Sequence, residues 1–139
     1  MTLYFCLDDR NGLGFNGRRQ SRDAAVLADI QSRLDGELLI DPLSLAMVRE
    51  AGIPCCIALP ELPPELPPEL PGCHYFVEQR EPGGWIAGAR QVVLYRWNRH
   101  YPADRWFTVD LEALGFRLQE TGEFPGNSHE TITREVYAR

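Results

Sequence analysis

Short apolar runs separated by turn residues dominate this 139-residue sequence. Five of these runs are predicted to be buried strands, because each is only a few residues long and is bounded by turn or helix signals. They are Thr2–Leu7, Leu38–Ile40, Ile53–Leu59, Cys73–Glu78 and Val92–Tyr95. We predict that all five share one sheet.

Helical patterns lie between the early strands. Ser21 is placed to cap a helix that runs to about Leu34, with apolar residues recurring along one face. Asp41 followed by Pro42 predicts the start of a second, shorter helix that ends before Gly52. The segment from 12 to 22 shows no periodicity and is predicted to be a loop.

The later part of the chain contains strands without intervening long helices. Phe116–Glu120 and Thr131–Tyr137 alternate in side-chain character and predict a terminal antiparallel pair, with Asn127-Ser128-His129-Glu130 as its polar turn. The order of elements predicts a single α/β domain over residues 1–139, with a mostly parallel central sheet, flanking helices and an antiparallel C-terminal edge. Ligands of such sheets bind beyond the carboxyl ends of the strands. Those ends are Asp8-Asp9, Asp41-Pro42, Leu59-Pro60 and Glu78-Gln79.

Residues 60–72 are rich in proline and contain Glu-Leu-Pro-Pro twice. A four-residue period with so much proline does not form a packed repeat, so we predict an extended surface connection of polyproline II type. The functional alternative is a ligand for an aromatic-lined groove of a partner domain.

Composition excludes several classes of protein. A content of 44% hydrophobic residues suits a globular core, and a net charge of −6 opposes sequence-independent binding of nucleic acid, which needs many basic residues. All 14 basic residues are arginine, so Schiff-base chemistry and a phosphate-loop lysine are excluded. The N-terminal apolar run is too short for a signal peptide or a membrane span. We therefore predict a cytoplasmic protein with no membrane partner.

No metal site is predicted. The three histidines lie far apart in the sequence, and the four cysteines have no C-x-x-C spacing. The adjacent Cys55 and Cys56 point to opposite faces of a predicted strand, so we expect them to be free thiols that are not bonded to each other.

The order of elements resembles the dihydrofolate reductase superfamily in a shortened form. The matching pieces are an opening strand with a glycine-containing loop (Leu3 to Gly17), a strand followed directly by a helix (Leu38 to Val48), an aromatic strand and turn (Val92 to Phe107), and a closing hairpin that ends in Glu135-Val136-Tyr137. The resemblance implies a reductase fold with NADPH as the cofactor. The residues themselves assign no cofactor.

The functional positions depart from this family. The family carries a carboxylate on its first helix that helps to protonate the pterin, and that position falls here at Ala25 or Val26, with Asp23 and Asp29 off register. The family's Gly-Arg beside the cofactor phosphates corresponds to Asp41-Pro42. Its Gly-Gly pair at the end of a later parallel strand corresponds to Glu78-Gln79. These departures argue against ordinary NADPH-dependent reduction.

The candidate ligand-binding residues lie in two arginine-rich segments. The first lies just before the predicted first helix, where free backbone N–H groups and guanidinium groups together favour an anion. The second interleaves arginine with aromatic residues, which can stack on a heterocycle. The candidates are Asn16, Arg18, Arg19 and Arg22 from the first segment, and Arg96, Trp97 and Arg99 from the second. The structural alternative is a pair of solvated charged loops, and a shared site requires the two segments to meet.

Three hypotheses follow from these observations. The leading one is a dihydrofolate reductase-like domain that binds a nucleotide-like or other small anionic ligand without ordinary reductase activity. The enzyme alternative is an NADPH-dependent reductase with rearranged residues, in which Asp23 or Asp29 acts as the acid. The third is an interaction module for a protein or RNA partner.

Overall fold

The computed structural model describes residues 1–54, 56–61, 63–65, 72–81 and 83–139, and ten strands and three helices lie within these ranges. The strands are β1 (Thr2–Leu7), β2 (Gly12–Phe15), β3 (Arg18–Arg19), β4 (Leu38–Ile40), β5 (Cys56–Ala58), β6 (His74–Phe76), β7 (Gln91–Arg96), β8 (Arg105–Trp106), β9 (Arg117–Pro125) and β10 (Thr131–Ala138). The helices are α1 (Ala24–Arg33), α2 (Leu45–Glu50) and α3 (Gly83–Gly88).

The main sheet has seven strands in the order β5-β4-β6-β1-β7-β10-β9. Pairing is parallel from β5 through β7, while β10 runs antiparallel to both β7 and β9. The five predicted strands therefore share one sheet, and the antiparallel C-terminal edge is confirmed. Apolar residues cover both faces of the inner parallel strands β1, β4, β6 and β7, whereas Ile57 of the edge strand β5 is exposed.

The predicted loop from 12 to 22 is wrong in part, because it contains a hairpin. Strands β2 and β3 pair antiparallel around Asn16 and Gly17, whose φ angles of 55° and 71° are both positive. Two successive residues with positive φ form the turn type that matches the twist of a hairpin. Strand β8 pairs with the other edge of β2, so this small sheet holds the loop in place.

The first helix starts later than predicted. Asp23, and not Ser21, is its N-cap, and the Asp23 side chain accepts a hydrogen bond from the Ala25 backbone N–H. The apolar face is confirmed, since Val26, Leu27 and Ile30 are buried against the sheet. The hydroxyl group of Ser21 is consequently available for other contacts.

The segment after β4 also differs from its prediction. Pro42–Ser44 forms a single 3-10 turn before α2, and the Asp41 side chain makes no capping bond to it. Further along, strand β5 begins at Cys56, whereas Ile53 is buried in the turn that precedes it. The predicted strand at 53–59 was therefore too long at its start.

The remaining sequence predictions concern the proline-rich segment, the cysteines and membrane-spanning helices. Much of the predicted proline-rich connection, at 62 and 66–71, lies outside the described residues, and so does Cys55. The thiols of Cys6, Cys56 and Cys73 are free. Within the described ranges, no helix is long and apolar enough to span a membrane.

Candidate functional site

Asp41, at the carboxyl end of β4, binds the segment that follows β6. Its Oδ2 atom accepts hydrogen bonds from the backbone N–H groups of Glu78 and Gln79, at 3.0 and 2.9 Å. Its Oδ1 atom accepts a bond from the Tyr75 hydroxyl at 2.5 Å and lies 3.3 Å from Nε of Arg80. Asp41 is fully buried, so this carboxylate is a fixed part of the sheet edge.

Glu78 places a second carboxylate beside the first. Arg19 binds it with two parallel hydrogen bonds, Nε to Oε2 at 2.7 Å and Nη2 to Oε1 at 3.0 Å, and the Ser44 hydroxyl donates to Oε1 at 2.6 Å. The hydrogen bonds that Arg19 donates to Glu78 raise the pKa of the Arg19 guanidinium group. The charge of Arg19 is therefore already paired within the protein.

Asp8, at the end of β1, organises the two loops next to it. Its carboxylate accepts from the backbone N–H groups of Arg10, Gly12 and Tyr101 and from the Gln20 side chain. Burial by itself raises the pKa of Asp8, but the hydrogen bonds from the backbone outweigh it and lower the pKa. This carboxylate holds loops and has no free oxygen directed at a ligand.

The two candidate catalytic carboxylates have different partners. Asp23 accepts hydrogen bonds from the backbone N–H groups of the β9–β10 turn and lies 2.9 Å from Nδ1 of His129. Burial raises the pKa of Asp23, but these hydrogen bonds outweigh it and hold the pKa well below its usual range. Asp29 accepts from the Tyr95 hydroxyl at 2.6 Å and pairs with Arg33 and Arg134. The ionised Asp23 carboxylate has no proton to give to a substrate, and the Asp29 carboxylate is occupied by its three partners.

The candidate arginines line separate depressions. Asn16, Arg18 and Arg19 share one of about 260 Å³ with Phe15 and Tyr101. Arg22 lines the cleft described below. Arg96 lines another depression with Asn11 and Tyr137. Trp97 and Arg99 line a fourth depression with Glu130. The two segments do not meet in one pocket among the described residues.

The contacts of the individual candidate residues also keep them apart. Arg96 binds Glu135 at 2.8 Å and the Asn11 side chain, whereas Trp97 is buried and stacks on His129. Adjacent strand residues point to opposite faces of a sheet, which places these two candidates on different sides of β7. Arg18 is exposed, and no ion pair forms with it in the part of the chain that the structure describes.

The largest of these depressions is a cleft of about 380 Å³ between α1 and α2. Apolar side chains of α1, of α2 and of the residue after α2 line it together with polar residues. The apolar residues are Ala24, Leu27, Met47 and Ala51, and the polar residues are Arg22, Asp23, Glu50, Asn127 and Ser128. The volume lies within the range of small-molecule sites, which is about 300–1,000 Å³.

Comparison with solved structures identifies the fold. A dihydrofolate reductase from Enterococcus faecalis, solved with NADP(H) and RAB-propyl, matches 99% of this chain and 95% of its own with a TM-score of 0.64. The chain has a dihydrofolate reductase-like fold. The identity is 10%, so the likeness shows the fold and not the activity. No protein-family model matches the sequence, and neither does a curated protein.

A cofactor bound as the resemblance implies would have its phosphates next to Asp41 and Glu78, and the residues there do not fit a phosphate. The backbone N–H groups of Glu78 and Gln79 already donate to Asp41. Both carboxylates stand at positions that the resemblance assigns to glycine, and they are paired with Arg80 and Arg19, so a phosphate would have to displace a carboxylate from its arginine. Sequence reasoning found these departures but not the contacts that Asp41 makes.

We next consider metal-binding clusters and nucleophilic side chains among the described residues. No cluster of three His, Cys, Asp or Glu side chains within the described ranges is arranged to hold a metal ion. Burial raises the pKa of the Cys6 thiol well above its usual range, which makes it a poor nucleophile. Sequence reasoning noted the polar turn that contains His129 but not that His129 meets Ser21 and Tyr101, which come from two distant segments.

Proposed function

We propose that this domain binds a small anionic, nucleotide-like ligand in the cleft between α1 and α2 and does not carry out ordinary NADPH-dependent reduction. The observation that carries the proposal is the cleft itself, which has a suitable volume and is lined by apolar side chains and by the exposed Arg22. An apolar body would pack against Leu27 and Met47, and an anionic group would lie against Arg22.

Arg22 is the candidate arginine that is best able to bind a ligand. Its only ion pair within the described residues is to Glu50 at 3.7 Å, and both side chains are exposed, at 64% and 74%. Exposed pairs of this kind contribute at most about 1 kcal/mol, so an anion can displace Glu50 at little cost. Arg19, in contrast, would have to give up two short hydrogen bonds to Glu78.

Two observations support the absence of ordinary reductase activity. The carboxylates of Asp41 and Glu78 lie beside the expected position of the cofactor phosphates, and Asp41 already accepts from the nearby N–H groups. The carboxylates of α1 and its cap, Asp29 and Asp23, are held in ion pairs and hydrogen bonds. The proposal therefore requires neither NADPH binding nor an acid on α1.

A thermal-shift screen tests the proposal with phosphate, sulfate, mononucleotides, NADPH and folates. A mononucleotide that binds the folded protein adds roughly 2.7 kcal/mol to the free energy of unfolding when its concentration is about a hundred times its Kd. This raises the Tm by several degrees. We expect this shift in the wild type and in Arg18→Ala, and we expect its loss in Arg22→Ala. Arg18 is the matched control because it is an exposed arginine that lines a different depression.

Two results would contradict the proposal. A screen without any shift would leave the cleft without a ligand of this class. An NADPH shift that persists in Arg22→Ala, together with turnover of a pterin, would favour the reductase hypothesis.

A further inference from the structure

His129 lies between a carboxylate and two hydroxyl groups. Its Nδ1 atom is 2.9 Å from Oδ2 of Asp23. Its Nε2 atom is 3.2 Å from the Ser21 hydroxyl oxygen and 2.8 Å from that of Tyr101. Hydroxyl, imidazole and carboxylate therefore follow one another within hydrogen-bonding distance, which is the order of a nucleophile, its base and the group that orients the base.

The charge of Asp23 determines which ring nitrogen of His129 carries the proton. An ionised carboxylate only accepts hydrogen bonds, so Nδ1 of His129 must be the donor in this contact. In the neutral ring, Nε2 then carries the free lone pair and accepts from a hydroxyl group. This tautomer is the one that a general base requires on the side of Ser21.

The imidazole ring is held rigidly. Trp97 stacks on it with a centroid distance of 4.5 Å and an interplanar angle of 19°. Asp23 is fixed in turn by the backbone N–H groups of Ala25, Asn127, Ser128 and His129. A fixed base loses no orientational freedom when a proton is transferred to it.

Ser21 is placed differently from the two groups behind it. His129 and Asp23 have side-chain exposures of 1% and 0%, whereas Ser21 is partly exposed in the connection between β3 and α1. Its neighbours Arg22 and Asp23 line the cleft between the helices. The residue that supplies the hydroxyl group is therefore partly exposed, whereas the base and the carboxylate are buried.

We infer that Ser21, His129 and Asp23 form a nucleophilic site for acyl transfer from carboxylic esters. The Ser21 oxygen forms a bond to the acyl carbon while its proton moves to Nε2 of His129. The bond from the acyl carbon to the alcohol oxygen breaks, and the alcohol leaves with that proton. Water then attacks the acyl-serine through the same base, which releases the acid and restores the hydroxyl group.

Tyr101 competes with Ser21 for the same lone pair. Its hydroxyl is the nearer of the two to Nε2 and lies 3.4 Å from the Ser21 oxygen. A Ser21 nucleophile and a Tyr101 nucleophile give covalent adducts on different peptides. The experiment must therefore locate the modified residue and not only detect modification.

An alkyl fluorophosphonate tests the inference, because it bonds to an activated serine oxygen with loss of fluoride. We expect one adduct, located at Ser21 by peptide mass mapping and absent from Ser21→Ala. Ser32→Ala is the matched control, since Ser32 is an exposed serine that donates only to the Asp29 carbonyl oxygen. His129→Gln should lower the labelling rate about 100-fold or more.

The pH dependence in the wild type makes the test independent of how the variants fold. A protonated imidazole has no lone pair to receive the serine proton, so the labelling rate should fall in acid. An adduct on Tyr101, a rate that does not depend on pH, or labelling that persists in Ser21→Ala would overturn the inference. The anion proposal is measured separately by the loss of the nucleotide shift in Arg22→Ala, so either idea can fail alone.

Discussion

Replacing Asp23 by alanine should lower the free energy of unfolding by about 3–5 kcal/mol. The side chain caps α1 through Ala25 and accepts backbone hydrogen bonds from Asn127, Ser128 and His129. Its removal leaves these donors without their acceptor, including the backbone N–H group of the buried His129, and separates the β9–β10 turn from the helix. Urea unfolding gives the free energy, and the Tm should fall by roughly 10 °C or more.

The control for this variant is Asp9→Ala. Asp9 is exposed, and its hydrogen bond to the Arg99 carbonyl oxygen is donated by the backbone N–H group, which the substitution keeps. A surface change of this kind should alter stability by less than about 0.5 kcal/mol. Equal effects of Asp23→Ala and Asp9→Ala would show that the contacts of Asp23 do not stabilise the fold.

The effect of pH on Asp23 has a definite sign. The pKa of Asp23 in the folded state is depressed, and in the unfolded chain it is about 3.9. The stabilisation is therefore complete above the unfolded value and is lost as pH falls through the folded value. The difference in unfolding free energy between wild type and Asp23→Ala should be constant near pH 7 and shrink below about pH 4.

The sheet could be predicted because its strands differ from their surroundings in the sequence itself. Leu38–Ile40 and Val92–Tyr95 are apolar runs that are buried on both faces, and no competing element produces that pattern at such lengths. The hairpin at 12–19 was missed although Asn16-Gly17 is a strong local signal. Its strands are only four and two residues long, too short for a periodic pattern.

The candidate site was harder to predict, because its contacts join distant segments. Asp23 and His129 are separated by 106 positions, and Asp41 and Glu78 by 37. Charge counting identified Arg19 and Arg96 but could not show that each pairs with a glutamate. The separation of Arg96 from Trp97 could have been foreseen, since neighbours on a strand face opposite ways.

The buried carboxylates of Asp41 and Asp23 connect different parts of the fold. Asp41 joins the carboxyl end of β4 to the segment that follows β6. Asp23 joins the first helix to the last hairpin and orients His129. The dihydrofolate reductase-like fold is thus retained while its strand-end positions hold internal ion pairs, which suits the proposed shift of ligand binding to the cleft between α1 and α2.

Replacing Asp41 by alanine should also lower the free energy of unfolding by about 3–5 kcal/mol. The change leaves the Glu78 and Gln79 backbone N–H groups, the Tyr75 hydroxyl and the Arg80 guanidinium without their shared acceptor. A double-mutant cycle with Tyr75→Phe should give a coupling energy of about 1–3 kcal/mol, since the two side chains are in direct contact.

The same Asp41 variant tests whether this strand end can bind an anion once the internal carboxylate is gone. Inorganic phosphate should then raise the Tm of Asp41→Ala by more than that of the wild type, because the freed N–H groups and Arg80 can donate hydrogen bonds to it. Glu37→Ala, an exposed change next to β4, should behave like the wild type in phosphate. If phosphate stabilises all three proteins equally, the carboxylate of Asp41 does not exclude a phosphate from this strand end, and the argument against ordinary NADPH binding loses its main support.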